Sequence, residues 1–382
     1  MANTKLRKAK QTKNDEFYTQ YIDIQKEVNS YLEYNPNVFR GKTILLPCDD
    51  PEWSNFTKFF AQNFDRFGLK KLISTSYSYE SKKIFEPYQL SLLEKDSPKY
   101  DETKTKSHGK MFVLQKDSNN SGKIDINDLE WEYLDGDGDF RSEEVCKLRD
   151  EADIIITNPP FSLYREFVEW LFSKNKFFLM IANKNSITYK EIFPLLRDNK
   201  MWSGVTSWSG GLWFETIDKN DYDKLENGKH LKNVSSVWFT NLEHGRRHQP
   251  LQLMTMEDNI KFSKHKEIKG KEYSKYENFD AIDIPYTDAI PKDYNGYMGV
   301  PVTFLEKYNP EQFNIVGLGI SNSGLEIGVK AYKEEHKQYR KNIEHKGAVD
   351  GDLYMLDSNG HPVVPYARII IEWKRIRRNS DG

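Results

Sequence analysis

The strongest constraint on the fold is a series of short, wholly apolar runs. From residue 42 onward they alternate with stretches of helical periodicity. Thr43–Pro47 (TILLP) reads as a strand. Trp53, Phe56, Phe59, Phe60, Phe64 and Phe67 then recur at the spacing of one helix face. Lys71–Thr75 (KLIST), Lys110–Gln115 (KMFVLQ), Asp153–Thr157 (DIIIT) and Lys176–Ala182 read as further strands. After Thr157, two adjoining stripes (Leu163, Phe167, Leu171 and Tyr164, Val168, Phe172) predict a helix. Strands that are apolar along their whole length are covered on both faces. The pattern therefore predicts an α/β fold, a mostly parallel sheet with helices on both sides.

Beyond about residue 200 the pattern changes. Residues 201–216 read as two strands around Gly210-Gly211, and Val234–Asn241 as another. Past Glu243 the chain becomes basic and irregular. Residues 244–248 are HGRRH, and residues 261–275 carry six Lys against two Glu. The stretch from Arg368 (RIIIEWKRIRR) adds five basic residues against one Glu. A boundary near 245 divides the 382 residues into a domain 1–245 and a region 246–382, in keeping with domains of roughly 100–200 residues.

Composition narrows the class. An aromatic content of 14% argues against wholesale disorder. A formal charge of −2 means that any nucleic-acid binding rests on local patches, not on net charge. The longest apolar run, Phe177–Ala182, is far short of a membrane span, and no apolar segment follows the basic N-terminus as a secretory signal requires. Cys48 and Cys146 make neither a disulfide framework nor a Cys-based metal site. A cytoplasmic protein is expected.

Asn158-Pro159-Pro160-Phe161 carries the most chemistry. It follows the strand DIIIT and precedes a helix that Ser162 could cap. In an open α/β sheet, ligands bind at the carboxyl ends of the strands. Proline lacks an N–H and has a fixed φ, so Pro159 and Pro160 make a rigid corner whose carbonyls can accept. Asn158 adds a side-chain acceptor. Two acceptors aimed at one NH2 group hold an exocyclic amine and favour the pyramidal nitrogen that attacks a methyl donor. Phe161 offers a flat face for the ring that carries the amine. In a duplex that amine is unreachable, so the base must flip out. The bland alternative is an ordinary Asn-Pro-Pro turn.

DIIITNPPF resembles the catalytic motif of S-adenosylmethionine-dependent amino-methyltransferases acting on adenine N6 or cytosine N4. The wider pattern resembles the EcoRI-type adenine-specific DNA methyltransferase family. Its matching pieces are Asp15–Gln20 (DEFYTQ), Pro47–Pro51 (PCDDP) with Ser54-Asn55-Phe56, Gly138-Asp139-Phe140, the NPPF, Trp238–Asn241, and Gly299-Val300-Pro301 with Phe304. The resemblance implies a Rossmann-like class I methyltransferase sheet with a C-terminal target-recognition region. It implies that Asn158 and Pro159, in the corner completed by Pro160, bind the target amine and that Phe161 stacks on the flipped base. Asp139 would accept from the amino group of the cofactor adenine, with Phe140 flanking that ring. Pro47, Asp49 and Asp50 would lie near the methionine or ribose part, and Phe17, Tyr18 and Thr19 would form an N-terminal cofactor-contacting segment, with Asn158 also bordering the cofactor. The first strand leads into PCDDPEWS and not into the usual Gly-x-Gly loop, and Glu80 is only a weak ribose candidate. Asp49-Asp50-Pro51 could instead cap the next helix, Phe17 and Tyr18 could merely cover the core, and Asp139 could be a solvated turn.

The expected activity is methylation of adenine N6 in double-stranded DNA by a monomer, without a metal. A cognate restriction endonuclease, where one exists, would act separately. The alternatives are methylation of cytosine N4, RNA adenine or a protein glutamine amide, or a catalytically dead DNA-binding subunit. Arg246, Arg247, Lys264 and Lys266 are the expected phosphate contacts, against the alternative of a plain solvated surface. An EF-hand loop starting at Asp135 fails, because its sixth and twelfth positions are Phe140 and Cys146. His244 and His248 flank Gly-Arg-Arg and match no metal motif.

Overall fold

The computed structural model describes residues 18–49, 54–78, 97–216 and 220–374. The chain divides into two compact units, one of residues 1–186 with 203–244 and one of 187–202 with 245–382. The sequence pattern drew one cut, near 245. The excursion at 187–202 left no compositional trace, because its short helix Phe193–Arg197 is as apolar as the elements around it.

In chain order the first unit contains β1 (Tyr18–Thr19), α1 (Tyr21–Tyr34), β2 (Thr43–Leu46), α2 (Asn55–Gln62), α3 (Phe64–Phe67), β3 (Lys71–Ser76), β4 (Lys110–Leu114), β5 (Glu130–Tyr133), α4 (Glu143–Glu151), β6 (Ile154–Thr157), α5 (Tyr164–Phe172) and β7 (Phe177–Asn183). The second unit's helix Phe193–Arg197 is α6. Then follow β8 (Trp202–Ser203), β9 (Leu212–Glu215), β10 (Lys224–Glu226), β11 (Lys229–Val234) and β12 (Ser236–Thr240). The main sheet has the order β5-β4-β3-β2-β6-β7-β12-β8. Its centre, β3-β2-β6-β7, is parallel. β4, β5 and β12 run antiparallel to their neighbours.

The fold is mixed α/β, consistent with the Rossmann-like expectation, but residues 110–114 are antiparallel where a parallel strand was expected. Burial explains the difference. β2 and β6 are buried at every position, whereas β4 is buried only at Phe112 and Leu114, the alternation of an antiparallel strand with one wet face. Residues 130–133 form the edge strand β5.

Helices α1, α2 and α3 cover one face. Ile24, Val28 and Tyr31 of α1 and the Phe59, Phe60, Phe64 and Phe67 series form one core cluster with Ile44, Leu46, Ile154 and Ile156. A smaller antiparallel sheet, β1-β9-β11-β10, lies in the same unit. Its β10–β11 hairpin turns on Asn227-Gly228, with φ of 51° and 78°, as a two-residue type I′ turn requires. The strand expected at 234–241 is split, with β11 in the small sheet and β12 in the large one.

The second unit is built on the sheet β13 (Ala281–Asp283), β14 (Tyr297–Pro301), β18 (Arg368–Trp373) and β15 (Phe313–Leu318), in that spatial order. Between β15 and β18 lies the hairpin of β16 (Met355–Leu356) and β17 (Pro362–Val363). The stretch from Arg368, read as basic, is an inner strand: Ile369, Ile370 and Ile371 are fully buried, and Arg368 pairs with Asp283 at 2.8 Å. Residues 375–378 of that stretch lie outside the described residues.

Candidate active site

In the central order β3-β2-β6-β7 the chain reverses direction across the sheet between β2 and β6. Such a switch point opens a crevice outside the carboxyl ends of its two strands. Pro47-Cys48-Asp49 leaves the end of β2, and Asn158–Phe161 leaves the end of β6. Two of the sequence candidates therefore meet by topology.

No glycine loop follows β2. Hydroxyl groups stitch the turn to β3 in its place. The Thr75 hydroxyl donates to the Pro47 carbonyl at 2.9 Å, the Ser74 hydroxyl donates to the Asp49 carbonyl, and the Asp49 amide donates to the Thr75 carbonyl at 3.2 Å. The Asp49 side chain is buried. Its Oδ1 accepts from the Ser54 hydroxyl at 2.8 Å and its Oδ2 from the Thr157 hydroxyl at 2.7 Å. Ser54, and not Asp49, caps α2, through the Phe56 amide at 3.1 Å. Asp49 thus clamps the β6 end, one residue before Asn158, to the start of α2. Asp50 and Phe17 lie outside the described residues, as do Glu80 and Trp53.

Thr19 reaches the same end of the sheet. Its carbonyl accepts from the Asn55 side chain, the first residue of α2, at 2.7 Å. Tyr18 and Thr19 pair with Glu215 and Phe214 of β9. On the other side, the loop DGDGDF docks against the end of β3. The Ser78 amide donates to the Asp137 carbonyl at 2.8 Å. Gly138 has φ +82° and lies so close to the Ser76 carbonyl that an added Cβ would come within 2.3 Å of it. Only glycine combines that φ with that approach. Asp139 follows, and its carboxylate is held by Arg141. Those hydrogen bonds come first among the causes that raise the Arg141 guanidinium above its ordinary value. Phe140, expected to flank a cofactor ring, is buried and packs edge-on against Phe167 and Trp170, at 5.3 and 5.7 Å.

The corner itself is half open. Asn158, Pro160 and Phe161 are half-buried and Pro159 is buried, so the motif is not sunk in the interior. Phe161 packs one side on the main core cluster. Residues 161–163 form a 3-10 turn before α5, and the Pro160 carbonyl accepts from the Leu163 amide at 3.0 Å. Two local expectations change here. Pro160 uses its carbonyl inside the turn, and Ser162 lies within that turn while Leu163, whose side chain makes no cap, occupies the N-cap of α5.

The donor set suits a cofactor rich in hydroxyl and amine groups. Ser78 Oγ and Thr19 Oγ1 are buried hydroxyls with no hydrogen-bond partner among the described residues, a state that costs stability unless a ligand supplies one. Thr157, Ser54, Ser78 and Arg141 carried no expected role in the sequence. The one legible signal among them was Thr157, a hydroxyl closing an otherwise isoleucine strand.

In the second unit, Arg247 is buried. Its guanidinium lies 3.8 Å over the Trp202 ring and donates to Asn199. Burial turns it away from the phosphate contact expected of it. Arg246 pairs with Glu306 at 2.5 Å. Lys264 is exposed and pairs with Asp288 at 2.8 Å. Lys266 is exposed. His248 faces Glu311. His244, the last residue of the first unit, is buried with its Nε2 on the Ser203 carbonyl. Among the described residues no group of three His, Cys, Asp or Glu could hold a metal ion, and no helix is long and apolar enough to cross a membrane.

A family model described as adenine-specific methyltransferase EcoRI matches residues 5–374. The Type II methyltransferase M.EcoRI of Escherichia coli is 38% identical over 384 aligned residues, covering 98% of each chain. The Type II methyltransferase M.MpnI of Mycoplasma pneumoniae is 33% identical, over 89% of this chain and 94% of that one. The Type II methyltransferase M.MgeORF184P of Mycoplasma genitalium is 34% identical, over 81% of this chain and 84% of its own. No solved structure matches. The chain belongs to the EcoRI family of adenine-specific DNA methyltransferases.

Proposed function

We propose that the protein methylates N6 of an adenine everted from double-stranded DNA at a specific sequence, with S-adenosylmethionine as donor, in a restriction-modification setting. The observation that carries this reading is the Asn158–Phe161 corner, half open at the switch point and braced by Asp49. A sulfonium methyl group is already activated, so the donor brings the leaving group and the protein needs no strong base.

Asn158 Oδ1 and the Pro159 carbonyl accept from the amine and align its lone pair. These acceptors stabilise the positive charge that develops on nitrogen, while positioning supplies most of the remaining advantage. Phe161 steadies the ring from its open face. Asp49, Thr19 and Ser78 supply acceptors and hydroxyls for the amino-acid and ribose parts of the donor, and Asp139 accepts from its exocyclic amine. Residues 1–245 carry the chemistry and 246–382 the target recognition, with Arg246, Lys264 and Lys266 toward phosphates. The protein acts as a cytoplasmic monomer, and a cognate endonuclease acts separately.

The test is expression in a host lacking endogenous DNA methylation, followed by nucleoside analysis and modified-base sequencing. N6-methyladenine confined to one short sequence is expected. N4-methylcytosine, or unmodified DNA from a folded protein that binds the cofactor, overturns the reading.

A further inference from the structure

Asp139 stands at the end of Asp135-Gly136-Asp137-Gly138-Asp139, a stretch with two glycines. A carboxylate on such a backbone has a soft side-chain torsion and no inherent direction. In this structure Arg141 holds it in direction. Arg141 donates to Oδ1 from its backbone amide at 2.8 Å and from Nε at 2.9 Å, and to Oδ2 from Nη2 at 2.6 Å. This is the fork geometry that only a guanidinium offers. The remaining edge of the same group, Nη1, donates to Glu166. Glu166 belongs to α5, the helix that continues from the Asn158–Phe161 corner. The guanidinium also lies over the Phe140 ring, with its carbon 5.4 Å from the ring centre.

Stability does not account for this arrangement. The Arg141 and Glu166 side chains are 47% and 52% exposed, and ion pairs that open to water contribute little. The Asp139 side chain is mostly buried, at 18% exposed. An exposed arginine is thus spent on orienting a shielded carboxylate and tying it to a second element.

We infer that Arg141 is a positioning residue. It fixes the Asp139 carboxylate as the acceptor for the exocyclic amine of the bound adenosyl group, and anchors it through Glu166 to the helix behind the catalytic corner. The inference rests on the proposed role of Asp139. Preorganisation of this kind lowers the ordering cost of binding, by an amount that corresponds to about tenfold in affinity for one long side chain.

The experiment is calorimetric titration of the full-length protein with two probes, S-adenosylhomocysteine and its analogue lacking the 6-amino group. Wild-type protein binds the amine-bearing probe more tightly. Arg141→Gln loses about tenfold for that probe and leaves the other unchanged. Arg141→Lys does not restore the loss, because an ammonium cannot fork. Glu166→Gln shifts affinity in the same direction by a smaller factor and serves where Arg141→Gln fails to fold. Equal loss for both probes, or undiminished discrimination in Arg141→Gln, overturns the inference and leaves the Asp139 role standing. Equal binding of both probes by wild-type protein overturns the Asp139 role, and the inference with it.

Discussion

The Thr157 hydroxyl donates to Asp49 Oδ2 at 2.7 Å, joining the carboxyl ends of two neighbouring parallel strands immediately before the Asn158–Phe161 corner. The other oxygen of the same carboxylate holds Ser54, the cap of α2. One buried side chain therefore sets the spacing between the end of β2 and the Asn158–Phe161 corner at the end of β6. Asp49→Ala leaves the Ser54 and Thr157 hydroxyls without that acceptor. A loss of about 1–3 kcal/mol in unfolding free energy is expected, together with weaker binding of S-adenosylhomocysteine. Denaturant melts and calorimetry check both. Unchanged stability would show that Asp49 does not brace the site.

Asn158→Ala removes an acceptor from the corner and leaves the strand and turn in place. Methyl transfer is expected to fall roughly 10²–10³-fold, the scale seen when one preorganised electrostatic partner is removed, with DNA affinity retained. Single-turnover kinetics beside a gel-shift titration separate the two. Parallel loss of both activities contradicts the assigned role.

Glu27 is a fully buried carboxylate on α1. It accepts from the Tyr31 hydroxyl at 2.8 Å, the Val205 amide at 2.8 Å, the Thr206 amide at 2.9 Å and the Thr206 hydroxyl at 2.6 Å. Burial pushes its pKa above the ordinary 4.5, and the hydrogen bonds pull it only part of the way back. The folded state then keeps this proton to higher pH than the unfolded chain does. The associated stability is full below 4.5 and is lost as pH rises through the folded value. Subtracting the Glu27→Gln stability profile from that of the wild type isolates the effect, because glutamine does not titrate. The difference is expected to fall as pH rises across this window. A difference that grows would reverse the sign and refute the burial argument.

Arg247 and its neighbour Arg246 divide by environment. Arg247→Ala removes a buried guanidinium from the Trp202 ring and from Asn199, with an expected stability loss of about 2–3 kcal/mol. The slope of log affinity for DNA against log salt is expected to stay as in wild type. Lys264→Ala combined with Lys266→Ala lowers that slope by about two, close to one for each phosphate that no longer meets a lysine. A shallower slope for Arg247→Ala would return that residue to the interface.

The local structure of the corner was legible in the sequence because it depends on neighbours in the chain. A β-strand, a proline corner and an aromatic ring follow one another in nine residues, so DIIITNPPF announced its place at a strand end. Continuous apolar runs likewise identified β2, β3, β6 and β7, since burial on both faces leaves no room for alternation. What lies far apart along the chain could not be read. Asp49 meets Thr157 across 108 positions and Glu27 meets Thr206 across 179, and no local pattern records either pair. Arg246 and Arg247 are identical to a composition count, yet burial separates them. Strand direction at β4, the excursion of residues 187–202 into the second unit, and the direction in which each charged side chain points were decided by packing, where the cost of burying an unpartnered polar group selects among arrangements that local propensity leaves equal.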